Sequence, residues 1–109
     1  ATKASRTMIR QLEEDQKRRS KRALTDAIDR ALIDLLAIYR DVLMVQVGGD
    51  GELINTDLSD LVHQIAQDST PRQTLARVDH IETARKRLVS NGNPLLVLED
   101  MAISLRPQA

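Results

Sequence analysis

Between Leu24 and Val45 the apolar residues fall at Leu24, Ile28, Ala31, Leu35, Ile38, Val42 and Val45, in alternating steps of four and three. Residues three and four apart stack on one face of an α-helix, so this spacing predicts one apolar stripe along one long helix. Leu32, Tyr39, Leu43 and Met44 widen the stripe, while Asp26, Asp29, Arg30, Asp34, Arg40 and Asp41 take the other positions and are expected to stay in water. No Gly or Pro occurs from Ala1 to Val47, so nothing in that span stops the helix early. The helix is long enough for later, shorter helices to lie against it.

What can pack on that stripe is narrowed by the residues the chain lacks. One Tyr and no Phe or Trp among 109 residues leave a core of Leu, Ile, Val, Ala and Met, which suits helix-on-helix packing and argues against a sheet. The expected fold is all-α: a compact bundle of four to five helices around one long central helix. Cysteine is absent, which removes disulfides, thiolate metal sites and a thiol nucleophile and allows a cytoplasmic location. No apolar run approaches the ~20 residues needed to span a bilayer, and no signal peptide is recognisable.

The formal net charge of zero conceals a split. Residues 1–22 carry eight Lys or Arg against three acids, a net +5, and residues 23–109 carry eight against thirteen, a net −5. Met8, Ile9 and Leu12 are the only large apolar residues of the basic part, too few to cover a core face. A helix continuing from Ser5 to Val47 would be roughly 60 Å long, against a radius of gyration of about 13 Å for a domain of this size. Residues 1–19 are therefore read as a helical or disordered linker that leaves the domain, and residues 20–109 as the domain itself. A first residue other than Met agrees with a processed or longer chain. Within the linker and its edge, Lys17, Arg18, Arg19, Lys21 and Arg22 could contact nucleic-acid phosphates. With no interleaved aromatics and no helix-turn-helix context, a solvated helical face is the favoured reading.

Gly48-Gly49-Asp50-Gly51 ends the long helix in a reversal. It lacks the Lys-Ser/Thr ending of a phosphate loop and the alternating carboxylates of a calcium loop, and reads as a plain turn. Asn55-Thr56-Asp57 offers capping residues for a short helix carrying Leu58, Leu61, Val62 and Ile65 and ending near Asp68. Thr70-Pro71-Arg72-Gln73 is a second start signal, with Thr70 and Gln73 forming a capping box around a first-turn proline. The following helix uses Leu75, Val78, Ile81, Ala84 or Arg85, and Leu88, and Asn91-Gly92 stops it. Asn93-Pro94 opens the last helix, which is apolar at eight of the eleven positions from Leu95 to Leu105. Such a helix must be buried on several sides, centrally or beneath a neighbouring protein.

Catalytic or metal chemistry finds no footing. His63 and His80 each lack a second His at three or four residues, and no thiolate accompanies them. Asp57 with Asp60, or Glu99 with Asp100, would need a shared cleft to act as acid and base, and nothing indicates one. No nucleophile elbow is present. The expectation is a chain that is not an enzyme, with no catalytic residue, metal or cofactor.

Two stretches carry a family resemblance. Tyr39-Arg40-Asp41-Val42-Leu43, followed after the glycine turn by Leu53-Ile54-Asn55-Thr56-Asp57, resembles the aromatic-Arg-Asp-Leu-Leu … Asn-x-Asp pattern of the C-terminal domain of bacterial DNA polymerase III delta-prime subunits. Ala84-Arg85 through Leu88, then Asn91-Gly92-Asn93-Pro94 and Leu98-Glu99, resemble the Asn-x-Asn-x-x-Leu-x-Leu-Glu pattern near the end of clamp-loader subunits. The likeness covers about residues 17–106; Gly92 departs from it, standing where the family often has a larger or branched residue.

The resemblance implies a collar domain. In that family the C-terminal helical domains of five subunits pack into a ring that supports sliding-clamp loading during DNA replication. Residues 1–19 would then be the remnant of a preceding ATPase-type region. Partners would be the other clamp-loader subunits, delta and gamma/tau, in the cytoplasm, with DNA touched only indirectly and no membrane or small-molecule substrate. The residues that would serve the subunit interface or the family motif are Tyr39, Arg40, Asp41, Asn91, Asn93, Pro94, Leu95, Leu98, Glu99 and Ile103. The alternative is a small helical nucleic-acid-binding domain using Lys17–Arg22. The two differ in salt dependence, because phosphate binding releases counterions and apolar packing does not.

Overall fold

The computed structural model describes residues 2–49, 51–90 and 93–106. Its elements are α1 (Lys3–Gln46), a 3₁₀ turn (Thr56–Leu58), α2 (Ser59–Asp68), α3 (Pro71–Ser90) and α4 (Pro94–Ser104). Helices α2, α3 and α4 all pack on α1, and α3 also packs on α4. Among the described residues there is no strand. The all-α expectation holds, but the shape is extended rather than compact, at 69 × 29 × 18 Å with a radius of gyration of 19.6 Å. The reason is α1: its 44 residues form one unbroken helix, and from Thr2 to Leu24 every residue except Asp15 is exposed. Only the second half of α1 is the spine of the bundle.

The core joins Ile28, Leu32 and Leu36 of α1 to Ile81, Ala84 and Leu88 of α3 and Val97 and Met101 of α4. Leu35, Tyr39, Val78, Leu98 and Leu105 pack around them. Farther along α1, Val42 is fully buried, as is Val62 of α2. The inward line is thus rotated from the expected stripe. Leu24 and Ala31 are exposed, Leu35, Ile38 and Val45 are half-buried, and Leu32 and Leu36 take the centre. Three helices of different lengths cover α1 from different sides, so no single straight stripe describes its buried surface. In α3, Leu75 is likewise exposed and Thr74 takes its place inside. The Thr74 hydroxyl donates to Gln46 Oε1 at 2.7 Å, and Gln46 Nε2 donates to the Ser69 carbonyl at 3.0 Å. A polar knot therefore ties the end of α1 to the junction of α2 and α3.

Local punctuation follows the sequence closely. Gly48 has φ +72°. Gly48 N–H donates to the Val45 carbonyl and Gly49 N–H to the Met44 carbonyl, the paired closure that a left-handed residue just past a helix allows. The Thr70–Gln73 capping box forms in both directions, with Thr70 N–H donating to Gln73 Oε1 at 2.9 Å and Gln73 N–H to Thr70 Oγ1 at 3.2 Å. Asn93 Oδ1 accepts from Leu96 N–H at 3.1 Å, and Pro94 occupies the first turn of α4. The stop at Asn91-Gly92 lies outside the described residues; α3 is helical to Ser90. Asn55, expected to cap, makes no side-chain cap bond to the following turn, because its amide is engaged elsewhere.

Candidate interaction surfaces

Asp41, which helical periodicity leaves in water, is instead 2% exposed. It lies thirteen residues from Ile28, about 140° around the helix at 100° per residue, away from the main core. The segment after the glycine turn folds back over it. Asp41 Oδ1 accepts from Ile54 N–H at 2.7 Å, and Oδ2 accepts from Asn55 N–H at 2.8 Å and from Asn55 Nδ2 at 3.1 Å. Burial pushes the carboxyl up, but these three bonds outweigh it and hold the pKa below the ordinary aspartate value. Asp29 also leaves the wet face: Arg85 Nε donates to its Oδ1 at 2.8 Å and a terminal guanidinium nitrogen to Oδ2 at 3.3 Å, joining α1 to α3. The hydrogen bond from Arg85 lowers the Asp29 pKa and is the main cause of the raised Arg85 value. Tyr39 is half-buried beneath Arg77, whose guanidinium carbon lies 5.9 Å from the ring centroid. Arg40, by contrast, is exposed.

The remaining motif residues divide by the face of α4 they occupy. Pro94 is buried with Val97 and Met101, and Leu98 is half-buried against the core. Leu95, Leu96 and Ile103 point outward, 54%, 47% and 58% exposed, with Glu99, Asp100 and Ala102 among them. Asn93 is the cap of the same helix, and Asn91 lies outside the described residues. Val89, at the end of α3 leading into α4, is also exposed. Three large aliphatic side chains thus stand on the outer side of a helix whose inner side already fills the core.

A second apolar surface has no counterpart in the sequence pattern. Met44, Val47 and Ile54 are exposed around a groove at the C-terminal end of α1, bordered by Arg40, Leu43 and Glu52. Neither helical period nor motif marks it, because it forms only when the post-glycine segment returns to Asp41.

The basic segment stays on the unsupported half of α1. Lys17, Arg18, Arg19, Lys21 and Arg22 are all exposed, and Arg18 is paired with Asp15. At 100° per residue these five side chains spread around more than half of the helix instead of lining one stripe. His63 and His80 are exposed, with His63 Nδ1 2.8 Å from the Ser59 carbonyl oxygen. Asp57, Asp60, Glu99 and Asp100 are exposed as well. Among the described residues no group of three or more His, Asp or Glu is placed to hold a metal ion. Nor is any helix among the described residues long and apolar enough to cross a membrane.

Comparison with known proteins follows the motifs. The family described as DNA polymerase III, delta subunit, C terminal, matches residues 4–106. DNA polymerase III subunit delta' of Bacillus subtilis (strain 168) is 38% identical over 72 residues, covering 66% of this chain. The chain spans 22% of that relative's length. No solved structure matches. The match runs over nearly all of the chain and includes the motif residues Asp41 and Asn55, which bond to each other, and Asn93, which caps α4. The chain therefore belongs to the family formed by the C-terminal domains of DNA polymerase III delta subunits.

Proposed function

We propose that this domain is a non-catalytic assembly module of a bacterial clamp loader. It packs with the C-terminal domains of the delta and gamma/tau subunits to form the collar that supports sliding-clamp loading in DNA replication, in the cytoplasm. The family and the similarity to a delta' subunit support the setting. The observation that carries the role is the outward apolar face of α4, formed by Leu95, Leu96 and Ile103. Exposed aliphatic residues grouped on one helix face are characteristic of interfaces. A linker from a preceding ATPase-type region over residues 1–19 is supported by residues 3–19, which are helical without a tertiary partner among the described residues.

Co-purification with the other clamp-loader subunits tests the role. Leu96→Asp and Ile103→Asp should each abolish it while leaving helicity and melting unchanged, since both side chains are exposed. Charge reversal at Lys17, Arg18 and Arg19 should leave it intact. If the α4 variants still assemble and the charge reversal instead removes salt-sensitive DNA binding, the domain is a nucleic-acid-binding module.

A further inference from the structure

The outward face of α4 is not uniformly apolar. Glu99 follows Leu95 by four residues and Leu96 by three, and precedes Ile103 by four, so all three apolar side chains are its helical neighbours. Asp100 adjoins Leu96 and Ile103 in the same way. With Val97 and Met101 turned into the core, Glu99 stands about 180° around the helix from the line between them, at the crest of the exposed face. Among the described residues the ion pairs are Arg18–Asp15 and Arg85–Asp29, so no cation of the described chain neutralises Glu99.

A surface that covers Leu95, Leu96 and Ile103 therefore also covers the carboxylate at their centre. Taking that charge out of water is strongly unfavourable unless a cation arrives with the covering surface and bonds to it. Resting on the assembly role proposed above, we infer that the partner docks on α4 with a surface that sets an Arg or Lys among apolar residues and pairs it with Glu99. The occupant is another clamp-loader protein. The apolar contacts supply most of the attraction. The buried pair fixes register and rejects surfaces without the cation.

The test is affinity for the other clamp-loader subunits of the same bacterium, purified without this one. Glu99 is exposed and takes no part in the core, so the variants should keep the wild-type helicity and melting. Glu99→Lys is expected to weaken binding about 100-fold or more, by placing two cations together in the interface. Glu99→Gln and Glu99→Leu, which leave the partner cation unpaired, are expected to weaken it about tenfold or more. If either neutral variant binds as tightly as wild type or tighter while Ile103→Asp abolishes binding, α4 is the interface but no cation meets Glu99, and this inference is overturned alone. If Ile103→Asp binds normally, the assembly reading of α4 fails and this inference with it. A homodimer of the chain that Glu99→Lys dissociates would assign the face to a second copy, whose own basic N-terminal helix carries Met8, Ile9 and Leu12, and would overturn the choice of occupant.

Discussion

Asp41 and Asn55 are joined twice through one carboxylate oxygen, which accepts both the Asn55 backbone N–H at 2.8 Å and its side-chain amide at 3.1 Å. With the Ile54 N–H on the other oxygen, this pins the segment after the glycine turn to the back of α1. The two halves of the first family motif are therefore one structural unit: Asp41 is the anchor, and Asn55 is what it holds.

Removing the anchor should be costly. Asp41→Ala leaves two backbone donors without their acceptor in a site where the side chain is 2% exposed. A loss of about 2–4 kcal/mol is expected, in line with deleting a charged acceptor that serves buried donors. Urea unfolding measures it; a change below about half a kcal/mol, the range of an unimportant surface substitution, would show that the segment is not held by this carboxylate.

Acid should act through the same group. Asp41 and Asp29 both have folded-state pKa values below the ordinary 3.8. A depressed carboxylate pKa contributes stability that is present above the unfolded value and lost as pH falls through the folded one. Unfolding free energy should hold from neutral pH down to about 4 and then decline. In Asp41→Asn the neutral-pH value should be lower and the decline shallower, because one of the two groups no longer titrates. An acid limb as steep as wild type in both Asp41→Asn and Asp29→Asn would rule out these carboxylates as its source.

The rotation of the buried line on α1 separates two leucines that a simple stripe would rank in the opposite order. Leu32 is 2% exposed and Leu35 only half-buried. Leu32→Ala should cost ~2–5 kcal/mol, the range for a core truncation that leaves a cavity. Leu35→Ala should cost about half as much, because part of its side chain is already in water. Equal losses in denaturant unfolding would return Leu35 to the core.

The two halves of α1 should differ in protection. Amides before Leu24 sit in a helix with no tertiary cover, and isolated helical turns open readily. Hydrogen exchange of the chain is expected to be fast there and to slow sharply from Ile28, where α3 and α4 pack. Uniform protection along α1 would mean that the first half has a partner in solution.

Much of the fold was legible in the residues, because the signals involved are local. Thr70, Pro71 and Gln73 start α3 by bonds that span three residues, Asn93 and Pro94 start α4 the same way, and Gly48 supplies the left-handed residue that closes α1. An unbroken run without Gly or Pro was sufficient for a single long helix, and the motifs around Asp41 and Asn93 were sufficient for the family. Which side of each helix faces inward was decided elsewhere. Leu32 displaces Leu35, and Thr74 displaces Leu75, because the direction of burial depends on where three other helices cross α1 and on a polar contact with Gln46, 28 residues away in sequence. The burial of Asp41 is the clearest case: periodicity places it in water, and only the return of Ile54 and Asn55 across the helix takes it out. The sequence of α4 implies an apolar surplus, since eight apolar positions of eleven exceed what one contact can hide. That Glu99 stands at the crest of its outward face became visible only once Val97 and Met101 had settled which way α4 turns.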